Sequence, residues 1–168
     1  MGPPTGRARR IPVPPDLQWE GVPFDYGDAF EVRLDAGDTR SALDFARAAL
    51  EEAHPMVREL IWRVHRHVLR FNQGPRTSPS HVLGWEVITS DKDRVEMAAE
   101  SSLVRAVIIG RRLDPTTVRV ATSLSYRKPI ASRALWTMIG PLHRRIAPYL
   151  LEHAAGAGQA RFEWPGPD

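Results

Sequence analysis

The chain contains no cysteine. Disulfide scaffolding and thiolate chemistry are therefore excluded, and a metal site would have to be built from His, Asp and Glu alone. Long apolar runs are also missing. The longest stretch without Asp, Glu, Lys or Arg is the ten residues Ala134 to His143, whereas a membrane-spanning helix needs about 20 apolar residues. No apolar segment of secretory-leader type follows the first arginines, so the reading is a cytoplasmic protein with no integral membrane association. Lysine is scarce: only Lys92 and Lys128 stand among 23 basic residues, a skew attributed to codon bias.

Charge of one sign is lacking too, once its location is considered. Basic residues number 23 and acidic residues 20. Arg7, Arg9 and Arg10 fall in a leading segment that holds no acid, which leaves the remainder neutral. The net charge of +3 thus belongs to one end and does not describe a nucleic-acid surface on the folded part. At 168 residues the chain suits one domain with a sizeable core. Residues 1–23 hold six of the 15 prolines and read as an extended, basic N-terminal arm. Residues 24–155 read as the domain, and 156–168 as a loose Gly/Ala/Pro-rich tail in which Phe162 and Trp164 are candidate anchors.

Within the domain the apolar pattern changes period several times. Phe30, Val32 and Leu34 alternate with Ala29, Glu31 and Arg33, as in a half-buried strand. Ser41 and Asp44 stand at the spacing of a helix-opening capping box, with Leu43, Ala46, Leu50 and Ala53 on one helical face. Pro55 ends or kinks that helix. A second helix is expected from Met56 to Arg70: Val57, Leu60, Ile61, Val64 and Val68 fall in one arc. Its opposite face, with Glu59, Arg63, Arg66 and Arg70, is a solvated stripe including an i,i+4 pair, or else an anion site.

From His81 onward the pattern is strand-like. Leu83, Trp85 and Val87 alternate; Asp91 to Arg94 supplies a turn; Val95, Met97 and Ala99 resume. Leu103 to Leu113 is rich in Val and Ile, Asp114-Pro115-Thr116 is a turn, and Val118, Val120, Thr122, Leu124 and Tyr126 share a face. A long helix from about Ser132 to His153 carries Leu135, Ile139, Leu142, Ile146 and Tyr149 on one side, with a kink expected at Gly140-Pro141. The expected class is α+β, order β-α-α-β-β-β-β-α. A curved antiparallel meander lies on a C-terminal helix, with a gap between them that forms a ligand site.

Three segments carry a family likeness: Tyr26-Gly-Asp28-Ala29-Phe30, Leu83-Gly84-Trp85 and Gly140-Pro141-Leu142-His143. With them, residues 24–155 resemble the helix-grip fold of the START/Bet v 1-like (SRPBCC) superfamily, which includes polyketide cyclases and lipid-transfer proteins. The likeness is nearest to bacterial proteins of unknown function of the DUF2867 type. It implies an apolar or amphipathic, lipid- or polyketide-like ligand, and no established activity. The chain departs from the superfamily in showing about five strands and an added proline-rich arm.

His143 is the candidate functional side chain, able to hydrogen-bond a ligand carbonyl or move a proton. The alternative is a histidine bonded to a backbone or strand partner. Arg105 interrupts an apolar strand and is either an outward charge or an anchor for a ligand carboxylate. Trp85, Trp136 and Tyr126 form an aromatic wall or ordinary core. Met97, Val120, Thr122, Leu135, Ile139 and Leu142 complete the expected lining. His65 and His67, two apart on a helix, cannot clamp one metal, and Asp91 and Asp93 are turn residues. Neither a nucleophile elbow nor a phosphate-cradling glycine loop is present, and no cofactor is expected. The leading expectation is a binding module for a small hydrophobic molecule. A cyclase- or dehydratase-like enzyme using His143 is one rival. Another is a protein-interaction subunit with a filled interior, and a homodimer is compatible with the sequence.

Overall fold

The computed structural model describes residues 5–156. Phe162, Trp164 and the rest of the expected tail beyond 156 lie outside the described residues. Strand β1 (Ala8–Ile11) and β2 (Tyr26–Arg33) precede two helices, α1 (Ala42–Glu51) and α2 (Pro55–Arg63). Two very short strands follow, β3 (Thr77–Ser78) and β4 (His81–Val82), then β5 (Trp85–Ser90), β6 (Arg94–Glu100), β7 (Val104–Asp114) and β8 (Thr117–Tyr126). Helix α3 (Pro129–Ala154) ends the order. All eight strands form one antiparallel sheet, β1-β2-β8-β7-β6-β5-β4-β3, which is not closed. Among the described residues no helix is long and apolar enough to cross a membrane.

The α+β class and C-terminal helix match the sequence pattern, but the strand count does not. The segment 1–23 is not simply an extended arm: Ala8–Ile11 pairs with β2, and Arg9 sits opposite Glu31. Glu31 also faces Arg119 across β2 and β8, so one carboxylate bridges two guanidiniums, at 3.0 Å to Arg9 and 2.8 Å to Arg119. The arginines that gave this end its charge therefore contribute to sheet pairing. Leu17, Ile11, Val13 and Trp19 then cover the outer face of the sheet, packing on Ala29, Ala98, Val107, Ile109 and Ala121. Leu17 has no exposed surface at all.

The other face carries the main core, shared with α1, α2 and α3. The capping box is formed: the Asp44 amide donates to Ser41 Oγ at 3.1 Å and the Ser41 amide to Asp44 Oδ2 at 3.3 Å. Beyond α2 the backbone widens into a π-turn, Val64–Val68, with the Leu69 amide bonding the carbonyl of Val64. The expected single helix to Arg70 is thus corrected. The extra residue per turn shifts the register, so Val68 is exposed instead of joining the apolar arc. Helix α3 runs unbroken through Pro141 and Pro148, each of which lacks the N–H that would bond back four residues.

Candidate functional site

Register across the sheet places the inner-face residues opposite one another. Asp28 and Phe30 of β2 face Thr122 and Val120 of β8, which face Ile108 and Gly110 of β7, which face Met97 and Val95 of β6. Directly opposed residues of antiparallel strands point to the same side, so this grid forms a floor. Helix α3 supplies Trp136, Ile139, Leu142 and His143, and α1 supplies Phe45, Ala46 and Ala49. Floor and helices do not meet along their whole length. They leave a cavity of about 140 Å3, roughly ten times what one ordered water needs.

Eight of the expected residues line this cavity: Trp85, Met97, Val120, Thr122, Trp136, Ile139, Leu142 and His143. Arg105, Leu135 and Tyr126 do not. Arg105 lies on the outward register of β7, with its guanidinium 4.1 Å over the Trp19 ring and 3.4 Å from Glu100, so it cannot reach a ligand carboxylate in the cavity. Leu135 packs against the core from the flank of α3 next to Trp136. Tyr126 also packs on the core, at the end of β8, and the aromatic lining comes instead from Phe30, Phe45 and Phe71 beside the two tryptophans.

At one end of the cavity His143 backs onto a buried carboxylate that does not itself line the space. His143 Nε2 lies 3.1 Å from Asp28 Oδ2 and 3.3 Å from Oδ1. The Tyr26 hydroxyl donates to Asp28 Oδ2 at 2.7 Å. Asp28 is 2% exposed. Burial pushes its pKa up, but the hydrogen bond and charge of His143 and the bond from Tyr26 outweigh this and hold it below 3.8. Burial, followed by the bond to Asp28, pushes the Tyr26 hydroxyl up to about 12. The carboxylate is therefore ionised and acts only as an acceptor. His143 fits both sequence readings at once: it lines the cavity and it has a strand partner.

Trp136 packs between these groups, its ring centroid 4.9 Å from that of Tyr26 and 5.3 Å from that of His143. The Nε1–H groups of Trp136 and Trp85 are buried without a hydrogen-bond partner, as is His65 Nδ1. His65 retains some accessible surface, yet protein surrounds its ring. Burial, followed by the charge of His143, brings its pKa down from 6.5 to about 3.

Asp28 and Tyr26 were noted in the sequence only for the family likeness, and His65 only as an unsuitable metal ligand; none was expected at the site. The signal for the first two was present, since Asp28 and Tyr26 continue the inner-face alternation of Phe30 and Val32 toward the N-terminus. His65 carries no such signal, because the π-turn that directs it inward is not readable from a 3.6-residue period. Among the described residues no group of three or more His, Asp or Glu is arranged to hold a metal ion. No protein-family model matches the chain, and no curated protein matches it in sequence.

Proposed function

We propose that the chain is a small-molecule binding protein of helix-grip type, related to the START/Bet v 1-like superfamily. Its ligand is hydrophobic or amphipathic and sits between the sheet and the C-terminal helix. The observation that carries this reading is the cavity of about 140 Å3, lined by apolar side chains from α1, α2, α3 and strands β2, β5, β6, β7 and β8. An interaction subunit with a merely structural sheet calls for a filled interior, so the void favours the ligand reading. Apolar lining with a few convergent polar groups is the usual composition of a ligand site. Thr122, His65 and His143 are those polar groups here, with Asp28 behind His143.

The test is binding of the neutral dye Nile red to the full chain, read by dye fluorescence and by thermal melting. Binding to the folded state raises stability by about 2.7 kcal/mol at a ligand concentration a hundred times Kd. Ala106, 1% exposed and on the cavity floor, marks the place: Ala106→Leu fills the void and abolishes binding. Unchanged dye binding in Ala106→Leu, Trp136→Ala and Leu142→Ala refutes the placement of the site.

A further inference from the structure

Besides its two tryptophans, the cavity lining has three polar side chains, His65, Thr122 and His143. His143 has its partner in Asp28. His65 has none. Its ring stands 5.4 Å from the rings of Phe71 and Trp85, and both of those line the cavity beside it. Nδ1 has almost no accessible surface and no hydrogen-bond partner. Nε2 makes no hydrogen bond to a described residue either, and it is the ring nitrogen that keeps accessible surface. Protein surrounds the ring, so that surface belongs to the wall of the void. The π-turn Val64–Val68 brings His65 to this wall, and such local widenings of a helix recur at functional sites. Buried polar side chains are satisfied in the large majority of cases, so an unpaired imidazole facing a void calls for an explanation.

Charge narrows what can answer it. Among the described residues the lining carries no Lys, Arg, Asp or Glu. A guest with an ionised carboxylate would bring a buried charge to a wall that has no cation to pair with it. A cationic guest would find only Asp28, which stands behind His143 and is already engaged by His143 and Tyr26. His65 is itself held neutral, by burial first and then by the charge of His143. A neutral imidazole has one N–H and one lone pair. Because nothing bonds Nδ1, nothing fixes which of the two Nε2 presents. A hydroxyl both donates and accepts and so answers either form, whereas a carbonyl or an ether answers only one. The Thr122 side chain, on β8 opposite Asp28 and Ile108, adds a second hydroxyl-matching group to the same lining.

We propose that the cavity selects an uncharged apolar alcohol or phenol, with His65 Nε2 as the specificity-determining contact to its hydroxyl. This rests on the ligand reading above and narrows it to one class of guest. The hydrocarbon part of the molecule is held by the apolar lining, as any apolar guest would be. The hydroxyl supplies what the protein leaves unmade, a hydrogen bond to His65. Ionised fatty acids and amines are disfavoured by the same lining, because it offers them no countercharge.

The probes are naphthalene, 2-naphthol and 2-naphthoate, one ring system bearing no polar group, a hydroxyl or a carboxylate. Displacement of Nile red from the full chain at neutral pH reads their relative affinities. Wild type is expected to bind 2-naphthol about tenfold tighter than naphthalene. It is expected to bind 2-naphthoate about 10²-fold or more weaker than 2-naphthol. His65→Phe keeps an aromatic ring in that place and is expected to bring the naphthol-to-naphthalene ratio to about one. The ratio separates loss of the hydrogen bond from any general change in the pocket, which would weaken both probes alike. An unchanged ratio in His65→Phe overturns the assignment of His65. Naphthoate bound as tightly as naphthol overturns the selection of an uncharged guest. Wild type that binds Nile red but does not prefer naphthol to naphthalene overturns the inference and leaves the ligand reading intact. Failure of all three probes and of Nile red to bind overturns the ligand reading and this inference with it.

Discussion

His65 makes the stability of this protein fall on mild acidification, and the size of the effect can be worked out from its surroundings. The ring packs at 5.4 Å from both Phe71 and Trp85, and its Nδ1 has no partner. Burial is the main reason its pKa drops from 6.5 to about 3 in the folded protein. The unfolded chain therefore binds this proton first. Stability is complete above 6.5 and is lost at about 1.4 kcal/mol per pH unit as pH falls from there toward 3. At about pH 5 the unfolded histidine is almost fully protonated and the folded one is not, which costs about 2 kcal/mol relative to about pH 8. That figure depends on the unfolded value alone, provided the folded one lies well below 5. Asp28 contributes nothing in this window, since its folded pKa lies below 3.8; a depressed acid loses its stabilisation only at lower pH. His65→Phe keeps a ring against Phe71 and Trp85, removes the titration, and relieves the unpaired nitrogen. Urea unfolding of both proteins at about pH 8 and about pH 5 isolates the effect, because the remaining titrating groups are common to them. Wild type is expected to lose about 2 kcal/mol more than the variant between the two conditions. Equal losses would refute the assignment of His65 as a buried neutral ring.

The covering of the outer face is tested by Leu17→Ala. A leucine with 0% exposure costs about 2–5 kcal/mol on truncation, and urea midpoints should fall accordingly without loss of ligand binding, which belongs to the other face. Arg112 is tested by Arg112→Met. Its guanidinium binds the carbonyl of Arg40 at 2.6 Å, that of Pro115 at 2.7 Å, the carbonyl of Asp38, and the Asp38 carboxylate at 3.3 Å. Hydrogen bonding from Arg40 first, and from Arg112 further down, holds Asp38 at about 2. Removing Arg112 should cost about 3 kcal/mol in urea unfolding, and Arg112→Lys should not restore it, since an ammonium cannot span four acceptors.

Much of the inner surface was legible because it repeats. Val118, Val120, Thr122 and Leu124 alternate along β8 without interruption, and all four line the cavity. Ser41 and Asp44 announce α1 by local chemistry alone. What escaped did so for definite reasons. A strand of four residues with two arginines, Ala8–Ile11, has almost no apolar period; it exists because β2 offers it an open edge and Glu31 a countercharge. The two-residue strands β3 and β4 are too short to show alternation. Asp28 interrupts the apolar alternation, so the regular part of the first strand was expected to begin only at Ala29, three residues after it does. Asp28 is tolerated inside only because His143, more than a hundred residues later, arrives beside it. That partnership is tertiary, and no local window contains both halves.

The two faces of the sheet show why the void is a feature of this packing and not slack in the strands. On the outer face, short alanines at 29, 98 and 121 are met by Leu17 and its neighbours, and the cluster closes. On the inner face, alanines at 42, 46, 49, 106 and 147 and Gly110 line an opening that larger side chains there would fill. At about 24 cal/mol per Å3 of void, 140 Å3 forgoes about 3 kcal/mol of packing. Total stabilities are only about 5–15 kcal/mol, so packing forgone on this scale is a substantial sacrifice. The unpaired N–H groups of Trp85 and Trp136 add to it. A ligand at a hundred times its Kd returns about 2.7 kcal/mol, the same order as the packing forgone. An apolar guest would recover the packing loss by filling the space, with the apolar lining as its contact surface.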